Sequence, residues 1–253
     1  MNMPTSGSFG TSGDRGPGEI NLPALNIPSV PATVGAAQNR PAEKVRRSLL
    51  PAKMRPAAFT LGGLATVMLF VQIVNSLMHY ELNARFGLIS RSVAGLDGIL
   101  FAPLLHGGWG HLLGNLVPLL IFGLLLFVGG VRQFVVVTLF VWLVSGIGVW
   151  LAGPSHTVTI GASALVFGWL AFLIGRGVFT RNIGQILIGL VLLVLWGGLF
   201  WTGIVTTAVK DFVGVTGVSW QGHLFGAIGG VLAAFMVARA DGPRRKKIAA
   251  GVG

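Results

Sequence analysis

The sequence predicts an all-α, polytopic membrane protein built as a bundle of six transmembrane helices. Of its 253 residues, 53% are hydrophobic and only 10% are charged, whereas about a quarter of the residues in a soluble domain are charged. Several intervals lack Asp, Glu, Lys and Arg altogether and exceed the roughly 20 residues that one span needs. The longest interval, 43 residues between Arg132 and Arg176, is long enough for two spans. Composition therefore excludes a soluble fold and indicates six spans.

The spans are assigned to these charge-free intervals. Helices are expected because a lipid-facing backbone must satisfy its hydrogen bonds within its own segment. The strands of a membrane barrel would alternate polar and apolar residues, and these intervals do not alternate. Gly153, Pro154 and Ser155 mark the turn that divides the longest interval. The predicted spans are residues 57–78, 110–128, 134–152, 160–176, 184–202 and 222–239.

The basic residues predict the orientation of the protein in the membrane. Of its 18 Lys and Arg residues, only Arg85, Arg91 and Lys210 fall in loops that a cytoplasmic N-terminus would place outside. An excess of Lys and Arg in cytoplasmic segments is typical of membrane proteins. We therefore predict an integral, multi-pass protein of the cell membrane with both termini in the cytoplasm. The net charge of +11 then reflects topology and contact with the lipid bilayer, and no binding of nucleic acid is expected.

Composition also divides the chain into three parts. Residues 1–56 are rich in Pro, Gly, Ser and Asn and contain few large apolar residues, which is typical of disorder. We predict a disordered cytoplasmic tail in this segment. Residues 57–239 form the predicted six-helix membrane domain, and residues 240–253 form a basic cytoplasmic tail.

Residue types exclude several kinds of site. The chain has no cysteine, which excludes a thiol nucleophile, a disulfide and a thiolate metal site. His106 and His111 are five residues apart with no acidic residue between them, unlike the His-Glu-x-x-His motif of zinc metalloproteases. We therefore expect neither a metal ion nor another cofactor.

Polar residues recur at the start of the even-numbered spans. With a cytoplasmic N-terminus, the second, fourth and sixth spans all begin at the outer face. The second span carries His111 and Asn115, with His106 just before it, the fourth carries Ser163, and the sixth carries His223. Polar side chains within spans are costly and usually face the interior of the bundle. These three helices are therefore predicted to present their polar groups to one another at a similar depth.

Small residues predict a close crossing of the fourth and sixth spans. Stripes of small residues let helix backbones approach closely in a membrane, and alone they indicate only packing. Because these stripes lie beside Ser163 and His223, a close crossing would bring the hydroxyl within reach of the imidazole. The stripes are Gly222, Gly226 and Gly230 in the sixth span and Gly161, Ala164 and Gly168 in the fourth.

Ser163 and His223 have the chemistry of a nucleophile and its base. His111 and Asn115 lie four residues apart and so share a helix face. Both can donate hydrogen bonds, as an oxyanion hole requires. No Asp or Glu falls in any predicted span, which argues against a Ser-His-Asp triad. His223 would instead be oriented by packing, and Phe167, one helical turn after Ser163, is placed to stack on it.

Three motifs in this order resemble the rhomboid family of intramembrane serine proteases, over about residues 57–239. The motifs are His106-Gly-Gly-Trp-Gly-His111-Leu-Leu-Gly-Asn115, Gly161-Ala-Ser163-Ala164 and Gly222-His223-Leu-Phe-Gly226-Ala-Ile-Gly-Gly230.

The resemblance implies a rhomboid-like bundle with a catalytic dyad, in which Ser163 is the nucleophile and His223 the base. It implies that His111 and Asn115 stabilise the oxyanion, and that His106 supports the loop before the second span. Gly161 and Phe167 fall at supporting positions of the same motifs. The implied activity is that of a serine endopeptidase whose substrates are single-span or polytopic membrane proteins.

Three departures from the family pattern stand out. Ala164 replaces the glycine that usually follows the serine, and Phe167 replaces a tyrosine that often stacks on the histidine. The family's first loop often carries a Trp-Arg pair, and none is present between His79 and Pro103. None of these changes removes a reacting atom, but the last one leaves the anchoring of the loop open.

Two other functions stay open on the sequence. A catalytically inactive rhomboid-like protein that binds membrane clients would share the fold without using Ser163. A small-molecule transporter or channel is the other possibility, but transporters often have repeated halves or helices broken at the midplane, and the sequence predicts neither. Labelling of Ser163 by a serine-reactive phosphonate would separate an enzyme from both.

Overall fold

The computed structural model describes Gly10, residues 54–214 and residues 217–249, with side chains as far as residue 242. Within these residues the chain is an all-α polytopic bundle, as predicted. In chain order its helices are α1 (Arg55–Leu77), α2 (Glu81–Phe86), α3 (Gly98–Phe101), α4 (Trp109–Phe127), α5 (Val131–Ala152), α6 (Ser163–Thr180), α7 (Ile183–Trp196), α8 (Gly198–Phe200), α9 (Thr207–Phe212) and α10 (Trp220–Ala249).

Five of the helices in the described residues are long and apolar enough to cross a membrane, namely α1, α4, α5, α6 and α10. A sixth span is formed if α7 and the bent segment after it are counted together. Large apolar side chains on the outer faces of these helices are exposed, among them Phe59, Leu139 and Val194. Such a surface is typical of contact with a membrane, and the protein is an integral multi-pass membrane protein.

The fifth span, predicted at residues 184–202, is present but bent, which the sequence did not indicate. After α7 ends at Trp196, the segment Gly198–Phe212 lies at 51° to it. This segment includes a π-helical turn at Trp201–Thr206, between α8 and α9. Gly197 lies at the bend, where a Cβ atom would collide with the Leu193 carbonyl oxygen, and sharp kinks often occur at small residues.

The structure describes little of the predicted N-terminal tail and most of the predicted C-terminal tail. Of the predicted tail at residues 1–56, only Gly10 and residues 54–56 are described. At the other end, α10 continues past the predicted end of the sixth span at residue 239 and reaches Ala249. The described part of the predicted basic tail is therefore helical, and residues 250–253 lie outside the description.

Two short strands join the connection after α1 to the segment before α6. The strand β1 (Leu88–Ile89) pairs antiparallel with β2 (Val158–Thr159). Each strand is only two residues long, which is too short to show the alternation by which a strand is predicted from sequence. The pair holds in place the segment that leads into Ser163.

The connection between α1 and α4 is anchored on α5 by two tryptophans. The indole N–H of Trp150 donates to the carbonyl of Ser92 at 2.9 Å. The indole N–H of Trp142 donates to the carbonyl of Ile99 at 2.7 Å. The loop therefore has a tryptophan anchor, but the tryptophans come from the third span and not from the loop itself.

Helix α6 is the most buried spanning helix, with Trp169 and Phe172 completely enclosed. Its closest neighbour is α10. Gly226 faces the carbonyl of Ala164, and a Cβ atom at position 226 would collide with that oxygen. Gly230 faces the carbonyl of Gly168 in the same way. The predicted close crossing of the fourth and sixth spans is confirmed.

Gly222 does not take part in this crossing. A Cβ atom at position 222 would meet Ser219 Oγ at 3.5 Å and Val149 Cγ2 at 3.6 Å, which are ordinary contacts. The sequence stripe therefore contains two glycines that the crossing requires and one that it does not.

Candidate active site

A cavity of about 1150 Å³ lies where α4, α6 and α10 converge. Its lining includes His111 and Asn115 from α4, Ser163 from α6 and His223 from α10. The structure therefore brings together the four polar residues predicted to share one site. His106, the fifth, is not part of the lining and lies behind His111.

Ser163 is the first residue of α6, after Ala162 at the N-cap. The first N–H groups of a helix have no partner within the helix, and the helix dipole favours negative charge at this end. Gly161, two residues earlier, has a φ of +110°, an angle that residues with a Cβ atom rarely adopt. The turn at Gly161 thus places Ser163, the first residue of the helix, at the cavity.

His223 is buried, and its ring is held on two sides. Phe167 stacks on it with the ring centroids 4.1 Å apart and an angle of 4° between the planes, as the sequence predicted. His223 Nδ1 lies 2.6 Å from the carbonyl oxygen of Gly203, in the π-helical turn. Because a carbonyl oxygen can only accept, Nδ1 must carry the proton in this contact. Nε2 is then the unprotonated nitrogen, able to act as a base.

Ser163 and His223 do not form a hydrogen bond with each other in the described structure, although both line the cavity. In enzymes without bound substrate, catalytic hydrogen bonds are often long and tighten only in the complex. The arrangement therefore provides a serine hydroxyl and an imidazole with an unprotonated Nε2 in one cavity.

His111 and Asn115 lie against the turn before Ser163. A Cβ atom at Gly161 would lie 2.7 Å from His111 Nε2 and 3.7 Å from Asn115 Nδ2. Glycine at position 161 is therefore required by its close neighbours as well as by its φ angle. The motif of the second span and the motif around Ser163 therefore meet at this glycine.

His111 and Asn115 each have a hydrogen-bond donor available. The backbone N–H of Gly107 donates to His111 Nδ1 at 3.4 Å, so the ring proton of neutral His111 is on Nε2. Asn115 uses one amide hydrogen to reach the His111 carbonyl at 3.0 Å, and its amide has a second. Two side-chain donors thus accompany the backbone N–H of Ser163.

His106 is 1% exposed and packs edge-on against His111, with the ring centroids 5.1 Å apart. Its backbone carbonyl accepts hydrogen bonds from Asn75 at 3.4 Å and from Asn83 at 3.2 Å. Burial, followed by the proximity of His111, lowers the pKa of His106 from 6.5 to about 4. A neutral His106 is therefore fixed behind His111 by the first span and the loop after it.

The structure adds two groups to the site that the sequence reasoning did not place there. One is the Gly203 carbonyl, which carries no side-chain signal. The other is Asp211 of α9, which lines the cavity and accepts a hydrogen bond from the indole N–H of Trp220 at 3.0 Å. Asp211 lies beyond the predicted fifth span, where charge is tolerated. In the described residues, no three His, Asp or Glu side chains are grouped to hold a metal ion.

Comparison with known proteins places this chain in a family. The family model for the rhomboid domain matches residues 95–240. Uncharacterized proteins of Mycobacterium tuberculosis and Mycobacterium bovis are each 39% identical to this chain over 224 residues, which cover 84% of this chain and 89% of the relative. An uncharacterized protein of Mycobacterium leprae is 39% identical over 194 residues, covering 74% of this chain and 72% of the relative. This chain belongs to the rhomboid family.

Proposed function

We propose that this protein is an intramembrane serine endopeptidase that cleaves transmembrane segments of other membrane proteins with a dyad of Ser163 and His223. The observation that carries the proposal is the contact of His223 Nδ1 with the Gly203 carbonyl, which leaves Nε2 unprotonated in a cavity that Ser163 also lines. A serine hydroxyl becomes a nucleophile when an adjacent base takes its proton. Membership of the rhomboid family supports the same activity.

In the proposed reaction, His223 Nε2 takes the hydroxyl proton while Ser163 Oγ attacks the carbonyl carbon of the scissile peptide. The C–N bond of the tetrahedral intermediate then breaks, and His223 gives its proton to the leaving amine. Water, deprotonated by the same ring, attacks the acyl-enzyme. The proton returns to Ser163 Oγ when the bond between this oxygen and the acyl carbon breaks, and the enzyme is regenerated.

The negative charge of the tetrahedral intermediate would be met by three donors. They are the His111 Nε2–H, the second amide hydrogen of Asn115 and the backbone N–H of Ser163, all of which converge near Gly161. Removing one donor from an oxyanion hole typically costs about 100- to 1000-fold in turnover. His106 contributes by packing against His111 and has no direct contact with the cavity.

The proposed substrates are single-span or polytopic membrane proteins. The cavity exceeds the roughly 300–1000 Å³ of ordinary ligand pockets, so it can hold an extended stretch of peptide. Its wall includes the apolar Val117 and Leu199, which suits residues from a membrane span. Resemblance to the family implies a substrate helix that is locally unstable, with a small residue before the cleaved bond.

The proposed orientation follows from the charge distribution. A cytoplasmic N-terminus and an even number of spans put both termini in the cytoplasm, and the start of α6 then lies near the outer face. The cavity would open outward, where water can reach the acyl-enzyme. The proposed division of the chain remains a cytoplasmic tail at residues 1–56, a membrane domain at 57–239 and a basic tail at 240–253.

One observation favours a second candidate, a catalytically inactive rhomboid-like protein that binds membrane clients. Ser163 and His223 share the cavity without a hydrogen bond between them in the described structure. A protein that holds a client segment in this cavity would not need that bond to form.

Labelling of the purified protein in detergent with a fluorescent fluorophosphonate distinguishes the two. An enzyme is labelled at Ser163, and labelling disappears in the Ser163→Ala and His223→Ala variants. The matched control is Ser145→Ala, since Ser145 also lines the cavity but donates to the Trp142 carbonyl at 3.0 Å. This control should keep the label.

The same proteins are then incubated with a panel of single-span substrates. Cleavage by the wild type but not by Ser163→Ala is expected. Residues that act as a unit lose function non-additively, so the double variant should be no worse than either single one. Absence of labelling and cleavage in folded wild-type protein would favour the client-binding alternative.

A further inference from the structure

The bent fifth span contributes a backbone atom to the candidate site. Trp201–Thr206 forms a π-helical turn, and such turns are rare and frequently lie at functional sites. In its middle, Gly203 directs its carbonyl oxygen at His223 Nδ1, 2.6 Å away. The Thr207 hydroxyl donates to the same oxygen. A carbonyl oxygen has two lone pairs, so it can accept from the imidazole and from the hydroxyl together.

A side chain at position 203 is incompatible with this arrangement. A Cβ atom there would collide with Phe167 Cζ and lie 3.1 Å from His223 Nδ1. The stacked rings of Phe167 and His223 therefore pack directly against the backbone of the π-helical turn. The absence of a side chain is what lets the Gly203 carbonyl reach the imidazole.

We propose that the Gly203 carbonyl is the group that positions His223, in the place that a carboxylate takes in a Ser-His-Asp triad. In a triad the carboxylate holds the imidazole in the correct tautomer and orientation. Among the described residues no carboxylate is hydrogen-bonded to the His223 ring, and Asp211 accepts from the Trp220 indole instead. The carbonyl performs the same task, because its contact requires a proton on Nδ1 and leaves Nε2 unprotonated.

This inference rests on the proposed function and adds the fifth span to the catalytic machinery. The nucleophile comes from α6 and the base from α10, whereas the group that orients the base comes from the bent segment. Gly203 is thus a positioning residue, acting through His223. Displacement of the π-helical turn would release the ring without moving Ser163.

The first test measures the tautomer of His223 directly. The wild-type protein, labelled with ¹⁵N-histidine and reconstituted in lipid, is studied by solid-state NMR, and the His223 signals are assigned by difference from His223→Ala. A protonated Nδ1 and an unprotonated Nε2 at neutral pH are expected. A ring protonated only at Nε2 would overturn the proposal, whether or not the protein is active.

The second test compares Gly203→Ala with Gly198→Ala. A Cβ atom at position 198 has no atom within 4 Å, so this control changes the same residue type in the same span without a clash. For Gly203→Ala, kcat should fall about 100-fold, the scale of a 1 Å misplacement, with KM little changed. The Nδ1–H signal of His223 should weaken in parallel, a change that a loss of folding stability alone would not produce.

The outcomes separate this proposal from the proposed function. If the wild type is not labelled by the fluorophosphonate, the protease proposal itself fails, and the positioning role falls with it. If the wild type is labelled, and Gly203→Ala is labelled at the same rate and keeps the same kcat, only the positioning role is refuted. A fall in kcat for Gly198→Ala equal to that for Gly203→Ala would also refute it.

Discussion

Replacing Gly226 by alanine tests whether the close crossing of α6 and α10 sets the geometry of the site. The new methyl group would collide with the Ala164 carbonyl oxygen and lie 3.0 Å from its carbonyl carbon. Ordinary van der Waals contact begins near 3.4 Å, and the atoms it meets are backbone, which cannot rotate away. The two helices would therefore have to separate by about 1 Å at this point.

Two magnitudes follow from this displacement. Overpacking of a well-packed core typically costs about 1–3 kcal/mol in the free energy of unfolding. Gly226 is one turn from His223 on α10, and Ala164 is next to Ser163 on α6, so the separation acts directly on the distance between base and nucleophile. A misplacement of 1 Å can cost about 100-fold in rate, and a loss of that size is expected in the rate of Ser163 labelling.

The assay compares Gly226→Ala with Gly222→Ala in the same helix. A Cβ atom at position 222 meets nothing closer than 3.5 Å, so this variant should keep the thermal stability of the wild type. Thermal unfolding in detergent measures the loss of stability, and the fluorophosphonate labelling rate measures the loss of Ser163 reactivity. Wild-type stability and labelling in Gly226→Ala, or equal damage in both variants, would show that the crossing is not the determining contact.

Three further predictions concern the other parts of the site. Asn115→Ala should lower turnover by about 100- to 1000-fold through loss of one oxyanion donor, and unchanged kinetics would indicate a purely structural residue. The pKa of His106 is lowered to about 4 in the folded protein, so the unfolded protein takes up this proton first as the pH falls below about 6.5. His106 should therefore lower the free energy of unfolding by about 2 kcal/mol at pH 5 relative to pH 7. Thermal unfolding at both pH values should show that His106→Gln loses about 2 kcal/mol less stability between pH 7 and pH 5 than the wild type does. An equal loss in the two proteins would contradict the lowered pKa of His106. In intact cells, a membrane-impermeant maleimide should label Val93→Cys and spare Val128→Cys until the cells are permeabilised, and the opposite pattern would invert the proposed topology.

The spans could be predicted from composition because the membrane imposes the same requirement on every segment that crosses it. Charge is excluded over about 20 residues, and backbone hydrogen bonds must be satisfied locally. That requirement says nothing about straightness, so the bend after Trp196 was missed. The pairing of Leu88–Ile89 with Val158–Thr159 was missed as well, because it joins segments far apart in the chain that carry no periodic pattern.

The side chains proposed to react were visible in the sequence because polar residues in apolar spans are rare. Ser163 and His223 could therefore be paired from their position in the chain, and the expected stacking of Phe167 is present. The sequence did not show which glycines the close crossing of α6 and α10 requires. Gly222 and Gly226 look alike in the stripe, but only Gly226 faces a carbonyl of α6, and that depends on the rotation of α10 in the bundle.

The amino-acid sequence by itself determined the membrane class, the number of spans and the side chains capable of the chemistry, since these depend on residue types and on spacing along one helix. Only the tertiary structure decided what orients His223. The acceptor is a backbone oxygen of Gly203, 20 residues away in another span, and every residue has such an oxygen. A carbonyl becomes distinctive only where a π-helical turn directs it at the ring, and that requires the position of two spans relative to each other.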